Sequence, residues 1–471
     1  MLDELCQFTA TELIEAYAAG RQSPVDVAKA VLARIEALDP EVNAFCHREP
    51  EATLASARAS EARWRSGEPV GRLDGVPVSV KDLVLTKGWP TVRGSRTTNL
   101  SQPWNDDAPS VARLREHGAV IVGKTTTPEF GWKGVTDNLV TGITRNPWNH
   151  NHTPGGSSGG AAVAAALGMG ALHIGTDGGG SVRIPAAFSG IVGFKASAGR
   201  VPVYPTSPFG TLSHVGPMTR TVADAALMLT VMAEPDARDP LALEYDPRDY
   251  TAVLAGGVAG MRIAYSPDLG YAKVDPGVAK LVEAAAKTFE DLGAVVELAD
   301  PGFENPQDVF RAHWYTGAAY LLRTLSTEQR ALLDPGLERA STAGRAYSLT
   351  DYFDAVQARN RLTATIRSFH EKYDLLLTPT MPTTAFPLGE ASPIGEFGGE
   401  WDNFSPFTYP FNLSGQPAIS VPCGLAEDGL PAGLQIVGRP FDEVSVLRAA
   451  AAFAEARPAH TVFPGPSAPA D

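Results

Sequence analysis

The sequence predicts an α/β fold, a single large domain whose central mixed, mostly parallel sheet is covered by helices on both faces. Three observations carry this expectation. Short apolar runs of four or five residues alternate with helical stretches over residues 76–298. Hydrophobic residues make up 44% of the chain and charged residues 20%, a balance that supplies a large core and excludes wholesale disorder. No linker divides the 471 residues, although that length alone allows about three domains.

Residues 1–70 read as helical. Thr9-Ala-Thr-Glu12 is a capping-box pattern ahead of Leu13, Ile14 and Tyr17. Ser23, Pro24 and Asp26 form a second start signal: a hydroxyl cap, a proline at the first helical position and an acid in the first turn. Val27, Val31, Ile35 and Leu38 then fall on one stripe. A third, alanine-rich helix covers 52–64. This region carries no chemistry and serves to shield the core or to build a homodimer interface.

From there the rhythm alternates. Strands are expected at 76–80, 119–122, 172–175, 191–194, 262–265, 294–298 and 375–378. Helices are expected at 110–117 (stopped by Gly118), 161–167, 222–232, 278–292, 348–373 and 448–455. The Gly- and Pro-rich stretch 387–403 reads as a loop over the site. The end, 464–471, reads as a flexible tail.

Bulk properties exclude several functions. A formal charge of −14 repels phosphate backbones, so nucleic acid is not an expected partner. Cys6, Cys46 and Cys423 show no metal-ligand spacing and are odd in number. They fit a reducing, cytoplasmic setting and no disulfide framework. No run approaches about 18 apolar residues, so no membrane span is expected. The start, MLDELCQF, lacks the basic and apolar regions of a signal peptide. His150 and His152 form an H-x-H pair, but no third ligand is nominated and no metal is expected. Pro154-Gly155-Gly156 matches no phosphate-binding loop, so no nucleotide cofactor is implied.

The chemistry concentrates in GGSSGG at 155–160 and GGGS at 178–181. A serine among glycines can be approached closely by a substrate. Its neighbours can also turn their N–H groups toward one point. That is what a nucleophile with an oxyanion hole requires. Ser181 is therefore the candidate nucleophile, and Gly178, Gly179, Gly180 and Ser181 the candidate oxyanion donors. Lys81 ends an apolar run, which argues for burial. A desolvated lysine loses affinity for its proton and can act as a base. Read on its own segment, Lys81 is sooner a surface strand end paired with Asp82. His214, in Ser213-His214-Val-Gly-Pro-Met218, is read as structural, with a place on the cleft wall as the alternative.

Three ordered motifs, namely a lysine after a short apolar strand, the GGSSGG loop and a GGS-[VI]-R-x-P segment, resemble those of the amidase signature family. The matching core runs over 75–220, and Phe411-Asn-Leu-Ser-Gly-Gln-Pro417 extends the likeness toward the end, so one domain over 1–463 is expected. The resemblance implies a Ser–Ser–Lys triad in which Ser157 relays protons between Ser181 and Lys81. It also implies a cis peptide before Ser157, support from Ser158, and a brace formed by Asp177 and Arg183. It makes Trp132 a candidate wall of the acyl pocket. The implied activity is hydrolysis of small carboxamides or anilides, with carbamates and esters as further acyl substrates, and the implied partner is a small molecule. The same family contains glutaminase subunits of tRNA-dependent amidotransferases, in which Thr and Gln replace Gly178 and Ile184. It also contains allophanate-type hydrolases. A catalytically silent scaffold is the alternative from another class.

Overall fold

A computed structural model describes residues 2–393, 395 and 398–459. The expected tail at 464–471 lies outside the described residues.

Thirteen strands were identified among these residues. They are β1 (Phe45–His47), β2 (Pro77–Lys81), β3 (Val120–Thr125), β4 (Asp137–Asn138), β5 (Gly142–Ile143), β6 (Leu172–Asp177), β7 (Val192–Lys195), β8 (His214–Thr219), β9 (Arg262–Tyr265), β10 (Val295–Leu298), β11 (Leu375–Pro379), β12 (Ala418–Leu425) and β13 (Pro431–Gly438). Eleven form one sheet in the order β1-β3-β2-β6-β8-β7-β12-β13-β11-β9-β10, and β4 and β5 make a separate small hairpin.

The sheet is mixed, as expected, but it is not mostly parallel. Among the described residues, β2 is parallel to β3 and β6, and β9 is parallel to β10 and β11. The other six neighbouring pairs are antiparallel. The difference comes from β1, β8, β12 and β13, four strands with no expectation from sequence; β1 also interrupts the stretch 1–70 that was expected to be helical. A short turn joins β12 to β13 and leaves no room for the crossover that parallel neighbours need.

The helical beginning docks on this sheet. The capping box of Thr9 and Glu12 forms, and Ser23 caps the helix Pro24–Val42 with Pro24 in its first turn. Leu13, Tyr17, Val27, Val31 and Ile35 are buried in one cluster with Val78 and Val80 of β2. Each such side chain contributes about 1.5–3 kcal/mol on burial. Asp224 ties this layer to the helix Val222–Met232 by accepting the N–H groups of Ala10 and Thr11 at 3.1 and 3.2 Å. The segment therefore shields the core.

Two features position the site. β2 and β6 run parallel side by side, so their carboxyl ends, Lys81 and Asp177, open on the same edge. Such ends are where ligands bind in open α/β sheets. The helix Gly159–Ala166 offers only small side chains to its neighbours. This lets the serine loop before it approach the sheet closely. Among the described residues, no helix is long and apolar enough to cross a membrane.

Candidate active site

Lys81 has no exposed surface. Its Nζ lies 2.6 Å from Ser157 Oγ, 2.9 Å from Ser158 Oγ and 2.8 Å from Thr176 Oγ1. Burial pushes its pKa well below the ordinary lysine value, and only the charge of Asp177 opposes the shift. The alternative pairing with Asp82 does not occur. Asp82 Oδ1 instead meets Lys124 Nζ at 2.9 Å.

The three hydroxyls differ in their freedom. Ser158 Oγ donates to the carbonyl of Thr176 at 3.1 Å and accepts the Thr176 N–H at 3.2 Å. Its proton is committed, so the amine must donate to it. Although Ser158 occupies the N-cap position of its helix, its side chain makes no capping bond. The Ser157 proton has no such commitment. The Gly156–Ser157 peptide is cis, as the resemblance implied.

Ser157 and Ser181 line the same cavity of about 320 Å³. No hydrogen bond joins their hydroxyls among the described residues. Their loops are stitched instead through the Ser158 N–H, which donates to the Ser181 carbonyl at 3.2 Å.

The turn carrying Ser181 is held by a buried ion pair. Arg183 Nε and Nη2 each lie 2.9 Å from Asp177, and both side chains have no exposed surface. Asp177 also accepts the N–H of Gly180 at 2.8 Å and that of Val182 at 3.3 Å. Despite the burial cost, Arg183 foremost holds its carboxyl well below the usual range. Arg183 reaches on to the Thr408 carbonyl, Gln435 Oε1 and Asn412 Oδ1. Asn412 Nδ2 returns to Asp177 Oδ1 at 2.8 Å.

The expected oxyanion donors need one correction. The Gly180 N–H is already held by Asp177. The N–H groups of Gly178, Gly179 and Ser181 have no acceptor among the described residues. Gly180 has a structural requirement instead. Its φ is +127°, and a Cβ there would sit 2.3 Å from Thr408 Oγ1.

The expected walls also change. Trp132 is buried away from the cavity, with its carbonyl accepting the Trp314 Nε1–H at 3.0 Å. Phe130 and Trp314 line the space in its place. Trp401, Phe404, Phe407, Tyr409 and Phe411 belong to the core behind it. No described residue of 387–403 lines the cavity, and residues 394, 396 and 397 of that expected loop lie outside the described residues; Trp401 backs Trp314, with ring centroids 5.6 Å apart. His214 does reach the cleft wall. Its Nδ1 donates to the carbonyls of Leu212 at 2.8 Å and Asp177 at 3.2 Å, which fixes the tautomer. Burial lowers its pKa to about 3, so the ring is neutral and no part of a charge relay.

Thr176, Asn412, Gln435 and Arg93 were not singled out from sequence. Asn412 stood inside a quoted motif and could have been found there. Thr176 directly precedes the Asp177–Ser181 segment and could have been found the same way; Gln435 and Arg93 carry no local signal.

A family model described as amidase matches residues 26–447. The chain belongs to the amidase family. It is 38% identical to an acylamidase of Rhodococcus erythropolis over 96% of this chain and 95% of that protein. It is 37% identical to a glutamyl-tRNA(Gln) amidotransferase subunit of Chloroflexus aurantiacus over 98% of this chain and 99% of the other. Among solved structures, a bacterial aryl acylamidase of the amidase signature family superposes with a TM-score of 0.91 at 34% identity, covering 97% of both chains. Amide C–N hydrolysis is the activity these family relations support.

Proposed function

We propose that the protein is a serine amidase acting on small linear amides or anilides through a Ser181 acyl-enzyme. One observation carries the reading. A fully buried lysine amine is surrounded by three hydroxyls and no carboxylate, beside a cavity that contains a glycine-flanked serine.

In this reading Lys81 is neutral and holds one lone pair. Ser157 donates its proton to that pair and takes one from Ser181. Ser181 Oγ attacks the acyl carbon, and the N–H groups of Gly178, Gly179 and Ser181 receive the oxyanion. The relay then runs backwards and protonates the departing amine. Water, deprotonated by the same relay, attacks the acyl-enzyme and releases the acid. Substrate binding brings the Ser157 and Ser181 hydroxyls into hydrogen-bond contact, as catalytic bonds often tighten only with substrate. Carbamates and esters present the same planar acyl carbon and belong to the tested range.

A second reading, the glutaminase component of an amidotransferase, is favoured by the likeness to the Chloroflexus protein. The cavity weighs against it. That branch carries Thr in place of Gly178, and here a Cβ at 178 would lie 2.8 Å from the Trp314 ring.

The test is a panel of aliphatic amides, anilides, aryl carbamates, esters and glutamine, with fluorophosphonate labelling alongside. A single adduct on Ser181 and anilide turnover above glutamine turnover are expected. Faster glutamine turnover selects the second reading. Neither adduct nor turnover leaves a silent scaffold.

A further inference from the structure

The cavity beside Ser181 is walled mainly by apolar and aromatic groups, yet one guanidinium borders it. Arg93 lines the same space as Phe130, Trp314 and Ser181. It is only partly exposed, and its guanidinium makes no hydrogen bond or ion pair among the described residues. Asp82 is the acid that attracts it through space. That carboxylate is already engaged: Oδ1 meets Lys124 Nζ at 2.9 Å and the Val92 N–H at 3.2 Å, and Oδ2 takes the Arg93 N–H at 2.8 Å. Burial is the leading influence on the Arg93 side chain and lowers its pKa; an arginine remains charged nonetheless.

The backbone is built around this residue. Arg93 has φ +60° and Phe130 has φ +51°, both in the region that non-glycine residues rarely enter. The two are bonded to each other, the Phe130 N–H donating to the Arg93 carbonyl at 2.8 Å. Residues held in such conformations by surrounding hydrogen bonds cluster at ligand clamps. Here the hold fixes a cation and an aromatic ring on one wall.

We propose that Arg93 binds a carboxylate of the substrate, so that the amides this site prefers carry an anionic group beside an apolar or aromatic body. A guanidinium presents a planar fork that matches a carboxylate through two parallel hydrogen bonds. A partly buried cation without a partner has lost part of its hydration, and an incoming carboxylate supplies that partner. The proposal rests on the amidase reading, and its test separates the two.

Wild type, Arg93→Met and Arg93→Lys are compared on two matched anilide pairs, reading release of the arylamine that each pair carries. One pair is para-acetamidobenzoate and its methyl-ketone analogue, with the carboxylate on the amine side. The other is succinanilate and its methyl-ketone analogue, with the carboxylate on the acyl side. Wild type favours the acid of at least one pair in kcat/KM by roughly 10- to 100-fold. Arg93→Met brings that ratio to about one and Arg93→Lys falls between. A merely structural role would slow acid and ketone alike and leave the ratio unchanged. The proposal is overturned if wild type shows no preference for either acid, or if Arg93→Met keeps it. Should no anilide turn over, the full amide panel and the fluorophosphonate labelling judge the amidase reading separately. Thermal denaturation with each acid then decides for Arg93: a melting temperature raised in wild type but not in Arg93→Met supports it, and no shift overturns it.

Discussion

Lys81 and Lys124 stand on adjacent parallel strands, in the paired segments of β2 and β3, and neither has exposed surface. Their company differs. Lys124 meets the Asp82 carboxylate at 2.9 Å, the Thr91 hydroxyl at 2.5 Å and the Pro90 carbonyl at 3.1 Å. Lys81 meets only hydroxyls. Burial lowers both pKa values, but Asp82 offsets much of the cost at Lys124, and nothing so near does so at Lys81. Burial alone therefore does not make a lysine a base. In the proposed reading a lysine becomes one when burial is left uncompensated and its partners can pass a proton on.

The comparison can be broken in order of effect. Ser181→Ala is expected to lower kcat/KM by about 10⁴-fold or more with unchanged circular dichroism and melting temperature. Activity near wild type would mean that another group attacks.

Lys81→Ala is expected to cost about 10²- to 10⁴-fold. The amine works only when neutral, and its folded pKa lies well below the ordinary value. The wild-type kcat/KM therefore rises with pH through that folded value and is lost on its acid side. The variant's residual rate lacks this limb. A retained limb would move the base elsewhere.

Lys124→Met should do the reverse, lowering stability by roughly 3–5 kcal/mol because Asp82 is left buried and unpaired. Its turnover per folded molecule should stay within a few-fold. Adding Asp82→Asn should recover part of the loss, read by denaturant unfolding. A collapse of turnover without loss of stability would erase the contrast between the two lysines.

The smallest effect is expected at Thr176→Val, which removes one hydroxyl from Lys81 while keeping the shape. A loss of up to about tenfold with a displaced pH limb is expected. No displacement in a pH–rate profile would show that this hydroxyl does not tune the amine.

Where hydrophobic period and caps act locally, the chain was legible. The helices at Val222–Met232 and Leu349–Phe369 and the strand at Arg262–Tyr265 fall where periodicity and capping predict them. Lys81 and Ser157 came together because glycine spacing and an apolar strand announce their purpose one motif at a time. Three kinds of feature stayed hidden. The antiparallel centre depends on β8, β12 and β13, whose pairing is a long-range choice. Trp132 went to the core and Trp314 to the cavity, because an aromatic residue reads alike in either place. Arg93 sits in an unremarkable stretch, and only its surroundings mark it.

The anchors of the Ser181 turn, Asn412 and Gln435, come from far along the polypeptide, whereas Lys81, Ser157 and Ser181 all precede residue 182. A chain emerging during synthesis thus carries its reactive groups long before it carries the parts that set them. A chain cut short of Asn412 would leave that turn without these anchors, and its labelling at Ser181 by a fluorophosphonate is expected to be lost.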